Sequence, residues 1–365
     1  MNIFKVKFSK DRIYGLDLLR AFAILFIMIG HSRYRIPSLI DNKYYKFLMV
    51  DGVAIFFVLS GFLIGGILIK IIEKNSFTFK ELVNFWIRRW FRTLPNYFII
   101  ITLTVLLSWF LKEEIHVYTW EYYLFLQNLI FVEHYFFPEA WSLSVEEWFY
   151  LTVPLLIFGS LKIIKNSKQV VLFWVIFIIS VATIIRLCRV YNLDCDSMLC
   201  WQTYIRGPVV TRLDSIMFGV LVAYLNKFYS VYWRFFQKNN YLFWSGIFLI
   251  ILPQVNQLLL KISFIDNYLS FTLVSIGVSF ILPRLTVFKI NNGWFYKFVT
   301  VTSIISYSMY LINYTIIGDL ILNNLISVHR YIAYVLFWIL SYLFSIIFYN
   351  LIEVPFMKFR DIIKV

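Results

Sequence analysis

The chain has 365 residues, of which 61% are hydrophobic, 21% aromatic and only 15% charged. Soluble domains average about 45–50% apolar and about 25% charged, so a soluble globular enzyme is excluded and a polytopic helical membrane protein is indicated. The net charge of +14 sits in short segments between apolar runs, which reads as a topology signal and not as a nucleic-acid surface; no nucleic-acid partner is expected.

The basic start MNIFKVKFSKDR precedes an apolar run, as in a signal peptide. No small-residue cleavage site follows, so it reads as the lead into an uncleaved first span. Apolar runs predict spans at 14–32, 50–69, 94–111, 145–161, 170–187, 204–225, 241–258, 267–283, 299–322 and 331–351. The expected fold is an all-α polytopic bundle of about ten transmembrane helices, one domain over 1–365. YYLFLQNLIFV at 122–132 is too short to cross comfortably and reads as re-entrant or interfacial. With that topology the loops on the N-terminal side carry 22 Lys and Arg against 8 on the other. The excess puts both termini in the cytoplasm.

In chain order, the first motif is GLDLLRAFAILFIMIGHS, residues 15–32, a lipid-length helix that keeps Asp17, Arg20 and His31. Arg20 and His31 are eleven residues apart, three turns plus about 20°, so they share one face roughly 16 Å apart along the axis. Each charge in a span costs at least about 2.5–3.5 kcal/mol, so such groups usually face a polar cavity. Asp17 lies one turn before Arg20 and can pair with it.

DGVAIFFVLSGFLIGG, residues 51–66, starts the second span with Asp51 on His31's side. Ser60, Gly61, Gly65 and Gly66 form a small-residue surface for close helix or ligand approach. FWIRRWFRTLP, residues 85–95, puts Arg88, Arg89 and Arg92 before the third span. Guanidinium forks suit phosphate oxygens, and a lipid-facing basic flank is the plainer reading.

EAWSLSVEEWFY, residues 139–150, holds Glu146 and Glu147 at the expected outer start of a span. A carboxylate there can orient an imidazole, or favour the helix dipole only. Cys195 and Cys200 share a loop and pair if it is oxidised; free thiols are the alternative. TRLDSIMFGV keeps Arg212 and Asp214, and ISYSMYLIN keeps Ser306, Tyr307, Ser308, Tyr310 and Asn313, inside apolar segments; polar helix contacts explain either. IEVP reads as a structural stop, with Glu353 before Pro355. The four histidines show no metal-binding spacing, so no metal site is expected.

Together LDLLRAFAILFIMIGH, DGVAIFFVLSGFLI, RRWFRTLP, WSLSVEEWFY, RLDSIMFG, ISYSMYL and EVP resemble the acyltransferase-3 family of integral membrane acyltransferases, from residue 16 to 355. The resemblance implies an O-acyltransferase of a bacterial cytoplasmic (inner) membrane. It would move an acyl group, usually acetyl, from cytoplasmic acyl-CoA to a hydroxyl of an envelope glycan or lipid-linked sugar. The acyl-CoA is a substrate, and no permanently bound cofactor is implied. By the same resemblance His31 falls on the catalytic histidine, Arg20 on its paired arginine, Arg89 and Arg92 on the donor-binding pair, and Glu146 and Glu147 on the acidic pair. Asn313 departs from the histidine common in relatives. The soluble SGNH domain fused to some relatives is not expected, and a homodimer stays open. His31 is expected to act as general base, its tautomer set by a carboxylate, in the order Glu146, Glu147, Asp51; an acyl-His31 intermediate is the alternative chemistry. Ser60 is expected at the donor site with the arginines. The rival class is a transporter or flippase with the polar stripe as its path.

Overall fold

In lipid each backbone N–H and C=O must be satisfied within its own segment, so apolar runs become helices. In a computed structural model, which describes residues 6, 12–36, 42–74, 77–111, 119–132, 135–193, 195, 197–290, 292–325 and 329–362, the regular structure is entirely helical. The main helices are α1 (Tyr14–Ser32), α2 (Gly52–Glu73), α3 (Phe79–Phe110), α4 (Ala140–Leu161), α5 (Ser167–Asn192), α6 (Leu213–Phe228), α7 (Asn240–Val255), α8 (Ser270–Leu285), α9 (Trp294–Ile312) and α10 (Arg330–Phe348). Lys5, Lys7, Lys10, Lys112 and Lys364, part of the charge asymmetry, lie outside the described residues.

Among the described residues eight segments are long and apolar enough to cross a membrane. The protein is therefore a multi-pass membrane bundle. The two other expected spans, 145–161 and 204–225, fall on α4 and on a broken stretch. That stretch has a wide π turn at Gln202–Arg206, a tight turn at Val209–Thr211, then α6 with 16 residues. Pro208 separates the two turns, having no N–H to continue the first. Residues 122–132 hold the end of a five-residue helix, Trp120–Leu124, then turns, and are too short to cross.

Two helices begin earlier than their apolar runs suggest, and both shifts matter for the site. Helix α3 starts at Phe79, where Thr78 and Glu81 form a reciprocal capping box. Its arginines therefore lie inside a 32-residue helix and not in a flank before it. Helix α4 starts at Ala140, which puts Glu146 and Glu147 about 9 Å inside it. The hydroxyl of Ser144 and the indole N–H of Trp148 both donate to the Phe125 carbonyl, at 2.9 Å each, and anchor the 122–132 segment against α4.

The closest helix crossing joins α2 to α6. A Cβ added at Gly61 would lie 1.9 Å from the Ile216 carbonyl oxygen, and one at Gly219 2.0 Å from that of Val58. Gly65 packs on Val220 in the same seam. Buried ion pairs lock the same region. Arg186 meets Asp214 at 2.7 Å with both side chains wholly buried, and Arg212 meets Asp51 at 3.4 Å. The polar groups of the TRLDSIM segment are thus structural crosslinks.

Because the Gly61 contact is backbone to backbone, Gly61→Ala should cost about 2 kcal/mol or more. We expect the unfolding temperature in detergent to fall by several degrees. Gly159→Ala, with nothing within 4 Å of the new methyl, should leave it unchanged or slightly raised.

Candidate active site

A cavity of about 670 Å³ lies among α1, α2, α3, α4, α6 and α9. It follows α2 from Val53 to Lys70, roughly 26 Å along the axis. At one end it is basic, lined by Lys70, Lys227, Arg89, Arg92 and Arg20; Glu146 and Glu353 line it as well. Its far end is formed by Val53, Phe57, Ser142 and Tyr310.

The candidate residues divide. Arg20, Ser60, Arg89, Arg92 and Glu146 all line the cavity. Arg88 does not; it is exposed on the other side of α3, as expected for the neighbour of Arg89 on a helix. Arg20 donates to Ser303 Oγ at 3.4 Å and stands 3.8 Å from Asp17. The closer partner of Asp17 is Arg12, through a two-pronged contact, and Ser303 Oγ donates to Asp17 at 2.7 Å. Asp17 is thus occupied and leaves Arg20 facing the cavity.

None of the expected carboxylates hydrogen-bonds His31. Glu146 accepts from Tyr150 OH at 3.1 Å, which is also 3.0 Å from Ser60 Oγ. Glu147 is buried outside the cavity lining and accepts from Thr93 Oγ1 at 2.8 Å. Asp51 caps α2 by accepting from the N–H groups of Val53 and Ala54, and its other oxygen meets Arg212. The reason for the first two is the early start of α4, which carries the glutamates down from the His31 end to the level of Arg20 and Arg92. Asp51 is used up by its helix end.

The partner of His31 is Asn313. His31 Nδ1 lies 2.6 Å from Asn313 Oδ1. The Asn313 amide nitrogen donates to the carbonyls of Met309, at 2.7 Å, and Tyr310, at 2.9 Å. Carbonyls only accept, so the Asn313 oxygen must face the imidazole, and Nδ1 must carry the proton. Nε2 is then the basic nitrogen, and it makes no hydrogen bond among the described residues. Asn313 sits where α9 widens into π geometry over Asn313–Leu325, the local change that its amide helps to seal.

His31 does not line the cavity itself. Tyr310, one turn before Asn313, closes the cavity's top. Its hydroxyl is 2.7 Å from Ser142 Oγ and donates to the Glu139 carbonyl at 2.8 Å. The Arg20–His31 stripe is therefore split, with Arg20 in the cavity and His31 beyond its Tyr310 ceiling. On the His31 side, burial raises the Tyr135 phenol above its usual range, opposed by a hydrogen bond to Thr203 and by the charge of Arg206.

Residues 13–352 match a family described as an acyltransferase domain. The chain belongs to this acyltransferase-3 family. A relative in Staphylococcus aureus (strain COL), provisionally named an O-acetyltransferase, is 30% identical over 236 residues, 60% of this chain and 36% of the relative. The peptidoglycan O-acetyltransferase OatA of Listeria monocytogenes is 31% identical over 177 residues, 44% of this chain and 27% of that protein. The O-acetyltransferase OatA of S. aureus (strain NCTC 8325) is 25% identical over 395 residues, 96% of this chain and 58% of that protein. The chain thus spans between about a quarter and three-fifths of the lengths of these relatives. No solved structure matches.

Several cavity residues carry no site role in the motif reading. Ser303, Ser306, Tyr307 and Tyr310 line it at i, i+3, i+4 and i+7 of one apolar span, a polar stripe that helical spacing could have exposed. Glu353, read as a stop, lines the cavity and accepts from Ser308 Oγ at 3.3 Å; a carboxylate in an apolar run was the signal. Thr93 and Tyr150 lie within the RRWFRTLP and WSLSVEEWFY motifs and carry no separate signal of their own. Cys195 and Cys200 are joined as a disulfide, and Cys188 is free and exposed.

The tautomer argument is testable without turnover. In ¹⁵N-histidine-labelled protein, the resonance lost on His31→Ala should be that of a neutral imidazole protonated at Nδ1. Asn313→Leu should convert it to a mixture of tautomers or to the Nε2-protonated form.

Proposed function

We propose that the protein is a membrane O-acetyltransferase that takes an acetyl group from cytoplasmic acetyl-CoA and passes it to a sugar hydroxyl at the outer side of a bacterial inner membrane. The observation that carries the reading is the pairing of a cavity with a basic mouth and a histidine held with Nε2 free just beyond its opposite end. Family membership and the names of the relatives support acyl transfer. The 22-to-8 charge asymmetry supports a cytoplasmic basic mouth. The Cys195–Cys200 disulfide supports an oxidising compartment on the His31 side.

In this reading Arg89 and Arg92 hold donor phosphates through charge-assisted hydrogen bonds. Arg20 extends the positive field inward. The thin pantetheine arm runs along α2 toward Tyr310, and the Ser142–Tyr310 contact yields to let the thioester reach His31. The acceptor hydroxyl attacks the thioester carbonyl while its proton passes to Nε2. The carbon–sulfur bond then breaks, and the thiolate leaves with the proton that the imidazolium returns. The products are the acetyl ester and free CoA. Asn313 accepts from Nδ1 throughout and so holds the ring for both transfers, a task that needs an acceptor and not a titrating group. The whole chain acts as one domain, with the bilayer, acyl-CoA and the glycan acceptor as its partners.

The test compares acetyl-CoA binding and acetyl transfer by purified wild type, Arg89→Ala/Arg92→Ala and His31→Ala. Replacing both arginines should weaken donor binding by about 10²-fold or more, the loss of two charged hydrogen bonds of roughly 1.5–3 kcal/mol each. His31→Ala should bind donor normally and lose about 10²-fold or more in rate. Folded wild type that binds no acetyl-CoA would overturn the reading and favour a transport path.

A further inference from the structure

Arg186, Arg206 and Arg212 cluster around the Trp141 and Phe271 rings. Arg186 and Arg212 are answered by Asp214 and Asp51 and crosslink helices. Arg206 is different. Among the described residues no carboxylate lies within 4 Å of its guanidinium, and it makes no hydrogen bond. What surrounds it are rings. Its guanidinium carbon lies 5.3 Å from the Trp141 ring centroid and 5.9 Å from that of Trp201. The side chain is partly exposed.

The backbone beneath Arg206 is firmly held. Arg206 ends the π turn Gln202–Arg206, and Gly207 N–H donates back to the Gln202 carbonyl at 2.9 Å. The Asn128 amide donates to the Gly207 carbonyl at 2.7 Å and to that of Trp141 at 2.9 Å, tying both flanks of the cluster to one side chain. A Cβ at Gly207 would lie 2.5 Å from Val132, so glycine permits this approach. Trp201 follows the Cys195–Cys200 disulfide directly and stacks on Phe271 at 5.4 Å, and its indole N–H has no acceptor among the described residues.

The cluster adjoins the reacting group. Asn313, the partner of His31, also donates to the Tyr310 carbonyl at 2.9 Å. Trp141 neighbours Ser142, the residue that pins the Tyr310 hydroxyl. A guanidinium lodged among rings keeps its in-plane N–H donors available for a planar or tetrahedral anion. The flat faces of Trp suit the C–H face of a sugar ring.

We infer that Arg206, Trp141 and Trp201 form the acceptor subsite and that it takes an anionic sugar, its carboxylate or phosphate on Arg206 and its ring against the tryptophans. This rests on the acetyltransferase reading above for the role of the subsite, though not for its existence. Arg206 orients the acceptor so that a neighbouring hydroxyl meets His31 Nε2.

The test uses the full chain in detergent and three probes: methyl β-glucuronide, glucose 1-phosphate and methyl β-glucoside. Binding is followed by calorimetry or ligand-observed NMR, and acetyl transfer with labelled acetyl-CoA. Wild type should bind at least one anionic sugar about 10-fold or more tighter than the neutral one; the tighter of the two identifies carboxylate or phosphate. Arg206→Gln should abolish the difference and raise the acceptor KM with little change in kcat, and Arg206→Lys should retain part of it. Should Arg206→Gln fail to fold, wild type alone decides, because the preference must shrink as salt screens the charge. Equal binding of charged and neutral sugars by wild type, no binding of any, or a preference that survives Arg206→Gln would each overturn the subsite. Anion-selective binding lost in Arg206→Gln, without acetyl transfer to any sugar, would overturn the acetyltransferase reading and leave the subsite standing.

Discussion

Ionised and strongly polar groups within lipid-length helices are costly unless each meets a counter-charge, a hydrogen bond or water. The architecture is the sum of the ways this cost is met. Asp17 meets Arg12 and Ser303, Asp214 meets Arg186, and Asp51 meets Arg212 and two backbone amides. Those groups are spent on holding helices together. Arg20, Arg89, Arg92, Glu146 and Glu353 instead face a shared cavity. The groups left facing the cavity are the ones available for chemistry.

Close packing makes that cavity possible. The α2–α6 crossing at Gly61 and Gly219 brings two backbones almost into contact, and the adjoining face of α2, about 100° round the helix, lines the cavity. Along that side, Ser60, Gly66 and Lys70 line the cavity from its middle to its basic mouth. One helix therefore divides its small residues between two tasks. Gly61 and Gly65 serve packing, while Ser60 and Gly66 serve the cavity.

The His31 end obeys a different economy. None of the carboxylates Asp51, Glu146 and Glu147 hydrogen-bonds the imidazole, and its orientation comes from a neutral amide whose own nitrogen is committed to two carbonyls. A neutral acceptor fixes the tautomer without adding a charge that would need its own partner. Asparagine meets this geometric need with a group that does not titrate. Tyr310 separates His31 from the cavity, so the basic lining around Arg20, Arg89 and Arg92 and the ring cluster around Arg206 are distinct environments.

The residues alone determined the class and much of the inventory. Apolar runs dictated helices because lipid leaves the backbone no other partner. Local spacing put Arg20 and His31 on one face, grouped Arg89 with Arg92, and marked Ser306, Tyr307, Ser308, Tyr310 and Asn313 as polar groups in an apolar segment, while Ser303 went unmarked and Glu353 read as a structural stop. The motifs were enough to assign the family. Sequence did not say which polar group meets which, because pairing depends on the depth and rotation of helices distant in the chain. The capping box at Thr78 and the early start of α4 moved the arginines inward and lowered the glutamates away from His31. Asn313 took the role expected of a carboxylate because α9 widens where it passes His31, 282 positions away in the chain. Arg206, a residue with no motif, stood out only once its neighbours proved to be rings and not acids. Such long-range choices are made by packing, which alone sets the distances over which charges and hydrogen bonds act.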